Sequence, residues 1–251
     1  MGYIRGLFAL ILVVIVLLIG CVWHFLTWLV GLADPSLRDR LRYGYVHLAV
    51  KLVWIFAGGP TTVIGLDRVP MDRTCVFVGN HRSILDILAI VACMKKPVGF
   101  IAKQELEKVP LLRMQMLDIK CLFLDRQDAR KGLKTILTAI EYVKSGWNMF
   151  VFPEGTRNKV EGSLLEFHAG SFKIATKPGV PLVPVTLVNT GDLLEDHFPR
   201  PKRVPVIIEF GEPIETEGMD RKQQKVLPDQ VRDLIQETYD RNSRTLFGKT
   251  A

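Results

Sequence analysis

The chain of 251 residues is poor in cysteine and has only four, Cys21, Cys75, Cys93 and Cys121. None forms a CxxC pair or clusters with histidines, which excludes a zinc-ligand pattern and a secreted disulfide framework. The last three lie in apolar segments and read as small buried hydrophobes with free thiols. No GxSxG elbow occurs, so the nucleophilic serine of a hydrolase has no seat here. Internal repeats and low-complexity tracts are missing too, as is any recognisable nucleic-acid-binding motif. The formal charge of +7 therefore points to anionic partners other than nucleic acid: phosphorylated metabolites or an acidic membrane surface.

Charge itself is missing from Leu7 to Leu32. A helix of that length reaches about 39 Å against a hydrocarbon core of about 30 Å, so it spans a bilayer with tilt. A buried core helix would offer a polar stripe, and Leu7 to Ile19 offers none. Leu18-Ile19-Gly20-Cys21 resembles a lipobox. The apolar run nevertheless continues through Trp23, Phe25 and Trp28, where a soluble linker should begin. Only Arg5 precedes the segment, whereas Arg38, Arg40 and Arg42 follow it. This bias predicts that the downstream chain stays on the cytoplasmic side of the inner membrane.

Asp34-Pro35-Ser36 is a turn and helix-start signal, and a second helical pattern runs from about Leu37 to Phe56. Arg40, Gly44, His47 and Lys51 share one stripe; Leu41, Tyr45, Leu48, Leu52 and Phe56 share the other. That pattern suits a helix lying in the interface or closing a hairpin. His24 and His47 are read as interfacial residues without a chemical role. Whether the first helix crosses fully or turns back within one leaflet stays open. Residues 1–57 form the membrane-anchoring unit and 58–251 the globular one.

After Gly58-Gly59-Pro60 the pattern changes. Runs rich in β-branched and aromatic residues recur at about 61–66, 74–79, 97–102, 120–125, 148–153, 181–188 and 204–210. Helical patterns lie between several of them, the clearest from Asp128 as N-cap to Gly146, and another closes the chain over about Pro228 to Phe247. The alternation predicts an α/β fold: a mainly parallel sheet of about seven strands with flanking helices.

Three apolar runs end in polar signatures. "CVFVGNH" ends in Asn80-His81, "CLFLDR" in Asp125-Arg126, and "MFVFPEGTR" in Glu154-Gly155-Thr156-Arg157. In open α/β sheets ligands bind beyond the carboxyl ends of strands, so these loops are expected on one rim. Five residues of regular helix would leave His81 and Asp86 about 140° apart. Pairing them requires His81 on the turn and Asp86 in the first turns of the following helix. The carboxylate then holds one imidazole nitrogen and leaves the other basic. With no protein nucleophile at hand, the proton to be taken belongs to a substrate hydroxyl. Arg126 and Arg157 supply guanidinium forks suited to phosphate, and Gly155 permits close backbone approach. Glu154 is open to two roles, bonding a second substrate hydroxyl or pairing with an arginine.

Taken together these residues resemble the glycerolipid acyltransferase family, most closely its bacterial 1-acyl-glycerol-3-phosphate acyltransferases. Asn80-His81 to Asp86 resembles the family's NHxxxxD block, "LFLDR" its second block, "FPEGTR" its third and "VPLVPV", Val180 to Val185, its fourth. "KQELEKVP", Lys103 to Pro110, is similar to a segment between the first two. Asn158 stands where serine is common, and His168 where lysine is expected.

The resemblance implies transfer of a fatty acyl group from an acyl-CoA or acyl-carrier-protein co-substrate to lysophosphatidic acid, giving phosphatidic acid. It assigns His81 as base and Asp86 as its orienting partner. Lys103, Arg126 and Arg157 are to hold the acceptor's phosphate, Glu154 and Gly155 to shape the site, and Pro181 to Val185 to line the acyl-donor side. No metal and no further cofactor is implied; the partners are the lysophospholipid acceptor, the thioester and membrane lipid. The alternatives are an acyltransferase for another glycerolipid or lyso-lipid, and a non-catalytic adaptor binding anionic lipid, which would need neither His81 nor Asp86.

Overall fold

The computed structural model describes residues 2–248. Helix α1, Gly2–Gly31, covers the uncharged stretch, and among the described residues it alone is long and apolar enough to cross a membrane. Asp34 then caps helix α2, Pro35–Ala57, by accepting from Leu37 N at 2.9 Å, with Pro35 in the first turn. The two helices form an antiparallel hairpin. Ala9, Val53 and Ala57 are buried, with the partly buried Leu12, Val13 and Val16 packed against them. Trp23 stacks on Tyr45, and the Tyr45 hydroxyl donates to Val16 O at 2.5 Å.

The second helix is more deeply built in than its sequence stripes suggest. Its buried side carries Tyr43, Val46, Val53 and Ala57; Tyr43 and Val46 join the core beneath the sheet, and the Tyr43 hydroxyl donates to Lys96 O. The predicted apolar stripe is divided. Tyr45 turns inward to α1, whereas Leu48, Leu52 and Phe56 stay exposed beside the free apolar face of α1. A single stripe pattern cannot foretell this, because α2 has protein on two sides. His24 also differs from expectation. Its Nδ1 lies 3.0 Å from Asp118 Oδ1, which Arg42 approaches at 3.3 Å, so this trio ties α1 and α2 to the end of the helix Pro110–Asp118.

Each predicted run holds one strand, and only β3 passes its run's end, by one residue at Lys103: β1 Thr61–Ile64, β2 Val76–Gly79, β3 Val98–Lys103, β4 Leu122–Leu124, β5 Asn148–Val151, β6 Leu182–Val188 and β7 Val206–Phe210. Their order is β1-β7-β6-β2-β5-β3-β4. Every neighbouring pair is parallel except β6 with β7, which reverses the last two strands of that edge. Strands β2 to β6 therefore deliver their carboxyl ends to one rim. Helices α3, Leu85–Cys93, and α4, Pro110–Asp118, cover one face with α2; α5, Ala129–Lys144, α6, Ala169–Thr176, and α7, Arg221–Phe247, cover the other.

Alternation along β2 decides which residue meets which layer. Phe77 packs with Phe100, Phe150 and Phe210 on the first face, while Val76 and Val78 pack with Met149, Val151 and Phe172 on the second. Both faces are dry, as expected of parallel strands covered by helices. Helix α7 begins seven residues before the predicted Pro228. Asp220 and Gln223 bond each other's backbone in a capping box, and Pro228 sits inside the helix, where it removes one ladder bond. The expected thiols are free. Burial raises the pKa of Cys75 and pushes Cys93 and Cys121 to about 12, which keeps them protonated.

Candidate active site

The chain leaves β2 through Gly79, where a Cβ would come within 2.8 Å of the Phe150 ring and 2.9 Å of Val185 O. Asn80 follows and is buried. Its side-chain amide donates to Leu187 O and accepts from Leu187 N, both at 2.8 Å, so it continues the β2–β6 pairing one residue past the strand. This pin fixes the direction in which His81 departs. The His81 ring lies flat on Phe152 at a centroid distance of 4.1 Å.

Asp86 stands in the first turn of α3 and is fully buried. Its Oδ2 accepts from His81 Nδ1 at 2.8 Å, from Arg82 N at 2.8 Å and from Ser83 N at 2.9 Å. One carboxylate oxygen thus shapes the turn and fixes the imidazole at once. With Nδ1 engaged, Nε2 is the remaining basic position on a side chain 16% exposed, and it has no hydrogen-bond partner among the described residues. The Ser83 hydroxyl accepts from Leu85 N and is fully buried, so it is not presented as a nucleophile.

The loop after β5 closes over this turn. Glu154 is buried, and its two carboxylate oxygens accept from His81 N at 2.8 Å and Leu165 N at 2.9 Å. Burial raises its pKa against the opposing pull of those N–H groups. Both oxygens are taken up by backbone donors, so Glu154 braces the loop, and it pairs with no arginine among the described residues. Gly155 adopts φ +67°, and a Cβ there would press to 3.0 Å from the His168 ring. Asn158 N donates to His81 O at 2.7 Å, completing the clasp.

The three cations divide around His81. Lys103 ends β3 in register with Leu124 of β4, two residues before Arg126. Lys103 pairs with Glu105 at 2.8 Å, and that bond, together with the charge of Arg126, lowers the Glu105 pKa. Lys103 and Arg126 therefore share one corner. Arg157 lies toward β6, with its Nη1 3.0 Å from Glu195 Oε1, which also accepts from Ile84 N at 2.7 Å.

Sequence reasoning missed Arg82 and Glu195. The Arg82 guanidinium is buried and donates to Glu161, to Asn158 O and to Asp196, joining the turn after β2 to the loops after β5 and β6. Glu195 lies beyond the fourth block, with no local pattern to mark it.

Beside the turn opens a cavity of about 300 Å³ between the hairpin, α3 and α4. Ile84, Leu85, Leu88, Val16, Val53 and Leu112 are among its walls; the lining is apolar except for Tyr45, Gln115 and Cys121. The site thus places a fixed imidazole, a divided set of cations and an apolar slot side by side.

Residues 60–188, more than half of the chain, match the sequence model of the Acyltransferase family. The chain belongs to this family. The polar residues of the catalytic turn and its loops described above lie within the matched segment except Glu195 and Asp196, whereas the hairpin side of the cavity lies outside it. A chloroplastic 1-acyl-sn-glycerol-3-phosphate acyltransferase of Brassica napus is 37% identical over 162 residues, which are 63% of this chain and 46% of that protein. One from Borreliella burgdorferi is 29% identical over 153 residues, 61% of each chain. The chain thus spans about half the length of the first of these relatives. The crystal structure of the 1-acyl-sn-glycerophosphate acyltransferase PlsC from Thermotoga maritima shares the fold, with a TM-score of 0.80 over 96% of both chains at 24% identity.

Proposed function

We propose that this family member transfers a fatty acyl group from an acyl thioester to the sn-2 hydroxyl of 1-acyl-sn-glycerol-3-phosphate, giving phosphatidic acid. The observation that carries the reading is the His81 geometry: Nδ1 is clamped by Asp86 and Nε2 has no hydrogen-bond partner among the described residues, on a turn whose Ile84 and Leu85 line an apolar cavity. The names of the Brassica and Borreliella relatives support the acceptor's identity.

In the proposed reaction His81 Nε2 takes the proton of the acceptor hydroxyl as its oxygen attacks the thioester carbonyl. A new C–O bond forms, and the tetrahedral intermediate collapses with cleavage of the C–S bond. The imidazolium returns its proton to the leaving thiolate, so the enzyme ends as it began. Asp86 keeps Nδ1–H oriented and stabilises the charge carried between the two steps. The apolar cavity receives an acyl chain. The carrier on the thioester is coenzyme A or acyl carrier protein. The direct test is thioester consumption by the purified full chain with lysophosphatidic acid, with phosphatidic acid identified by mass. No product would reject the reading.

Lys103, Arg126 and Arg157 are proposed to receive the acceptor's phosphate, Lys103 and Arg157 exchanging Glu105 and Glu195 for it. Changing Arg126 or Arg157 to Ala is expected to raise KM for the phosphorylated acceptor at least tenfold, with KM for the thioester moving less than about twofold. Equal changes for both substrates would mean a structural role.

The catalytic unit is proposed to face the cytoplasm, because Arg38, Arg40 and Arg42 follow the apolar helix. A carboxyl-terminal reporter active only outside the cytoplasm is expected to stay silent. A signal from it would reverse the orientation.

A further inference from the structure

The connection from β6 to β7 returns along the catalytic rim, and past Glu195 and Asp196 it carries an unusual surface. Phe198 is 76% exposed, more than any other large apolar side chain outside α1 among the described residues. Arg200, Lys202 and Arg203 follow, all exposed. The segment is anchored against the first turns of α1. The Arg200 guanidinium lies over the Tyr3 ring at 5.1 Å, a Cβ at Gly6 would come within 3.1 Å of Pro201 Cδ, and Arg203 is close enough to Arg5 for their charges to repel.

Nearby carboxylates do not neutralise the whole cluster. Asp196 is held by Arg82 and Glu195 by Arg157, while Asp192 bonds His197 and approaches Lys202 at 3.5 Å. Arg200 and Arg203 have no carboxylate partner among the described residues. An aromatic tip among cations, set level with the start of a helix apolar enough to enter a bilayer, matches the headgroup zone in both chemistry and position.

We propose that the 197–203 loop is a second membrane contact: Phe198 enters the interface, and Arg200, Lys202 and Arg203 engage anionic lipid headgroups. Because the same β6–β7 connection supplies Glu195 and Asp196 to the active-site turn, the contact seats the catalytic rim against the bilayer. An acceptor drawn from that leaflet then reaches His81 without leaving lipid. This contact is separate in sequence from the α1–α2 hairpin and adds direction to it. The hairpin retains the protein, and the loop tips the rim toward the surface.

The test uses the full chain with Cys21 and Cys93 changed to Ser, reconstituted in vesicles of phosphatidylcholine alone or with phosphatidylglycerol. An environment-sensitive dye is placed at Phe198→Cys or, as a control, at Lys222→Cys on α7. The expected result is a blue-shifted dye at 198, quenched by nitroxide lipids at least threefold more strongly in the anionic vesicles, with position 222 remaining in water. Combining R200E, K202E and R203E should abolish the lipid dependence, and raising the salt should weaken it. The readout needs no turnover, so it stands or falls independently of the acylation assay. A dye at 198 as water-exposed as at 222, or quenching equal in the two lipid compositions, would overturn the proposal.

Discussion

Replacing His81 by alanine is expected to lower kcat by about 10²- to 10⁴-fold, the usual share of a positioned general base, while the chain stays folded. The local structure explains why the two effects separate. The backbone N–H of His81 remains bonded to Glu154, and its carbonyl still accepts from Asn158 N, since neither bond uses the side chain. Asp86 Oδ2 keeps the N–H groups of Arg82 and Ser83. What is lost is the ring on Phe152 and the basic Nε2. Binding of either substrate should change little, because the cations and the cavity lie on other residues; the loss belongs in kcat. The check is steady-state turnover beside a melting curve. Turnover within about threefold of normal would exclude His81 as the base, and a collapsed melting transition would show that its role is architectural.

The sequence was most legible where one physical constraint dominated. Seven strands could be read because both faces of the sheet are dry, which forces nearly continuous β-branched and aromatic runs such as "CVFVG" and "LVPVTLV". Helix α5 was legible from its ends, since Asp128 accepts from Arg130 N and Lys131 N, and Gly146 takes φ +91° just beyond the helix. The antiparallel turn of β7 was not legible, because strand composition carries no direction. Pro228 misled for a related reason. A proline marks a helix start only when no stronger cap precedes it, and Asp220 with Gln223 is stronger.

Within the site, the spacing of His81 and Asp86 was readable because only one local geometry lets them meet. Glu154 was not. The same residue would serve a substrate hydroxyl, an arginine or two backbone N–H groups, and the choice depends on where Leu165 returns, eleven residues on. Arg82 and Glu195 were hidden because their partners lie far along the chain. Arg82 reaches Asn158, Glu161 and Asp196, and Glu195 reaches back to Ile84. Long-range polar closure leaves no local period, which is why it escapes sequence reading even where it fixes the catalytic turn.

Asp86 offers the sharper separation of charge from architecture, through two substitutions. Asp86→Ala removes the acceptor of three donors in a fully buried place, at about 1–3 kcal/mol for each group left unpaired. Stability should fall by several kcal/mol, and kcat should fall at least as far as in the asparagine variant. Asp86→Asn is different. The three donors all converge on Oδ2, whereas Oδ1 is buried without a partner among the described residues. An asparagine can therefore point its carbonyl oxygen at the three donors and leave its amide nitrogen where Oδ1 was. The turn survives, but the negative charge proposed to stabilise the imidazolium between proton uptake and proton return is gone. Its loss weakens a charge-assisted bond worth about 1.5–3 kcal/mol, which corresponds to about a 10- to 100-fold fall in kcat. The expected pattern is thus a folded, slow asparagine variant and an unstable, slow alanine variant, measured by urea unfolding alongside turnover. An asparagine variant with normal kcat would show that the carboxylate orients His81 without its charge mattering. An alanine variant as stable as the parent would show that the three converging bonds do not hold the turn.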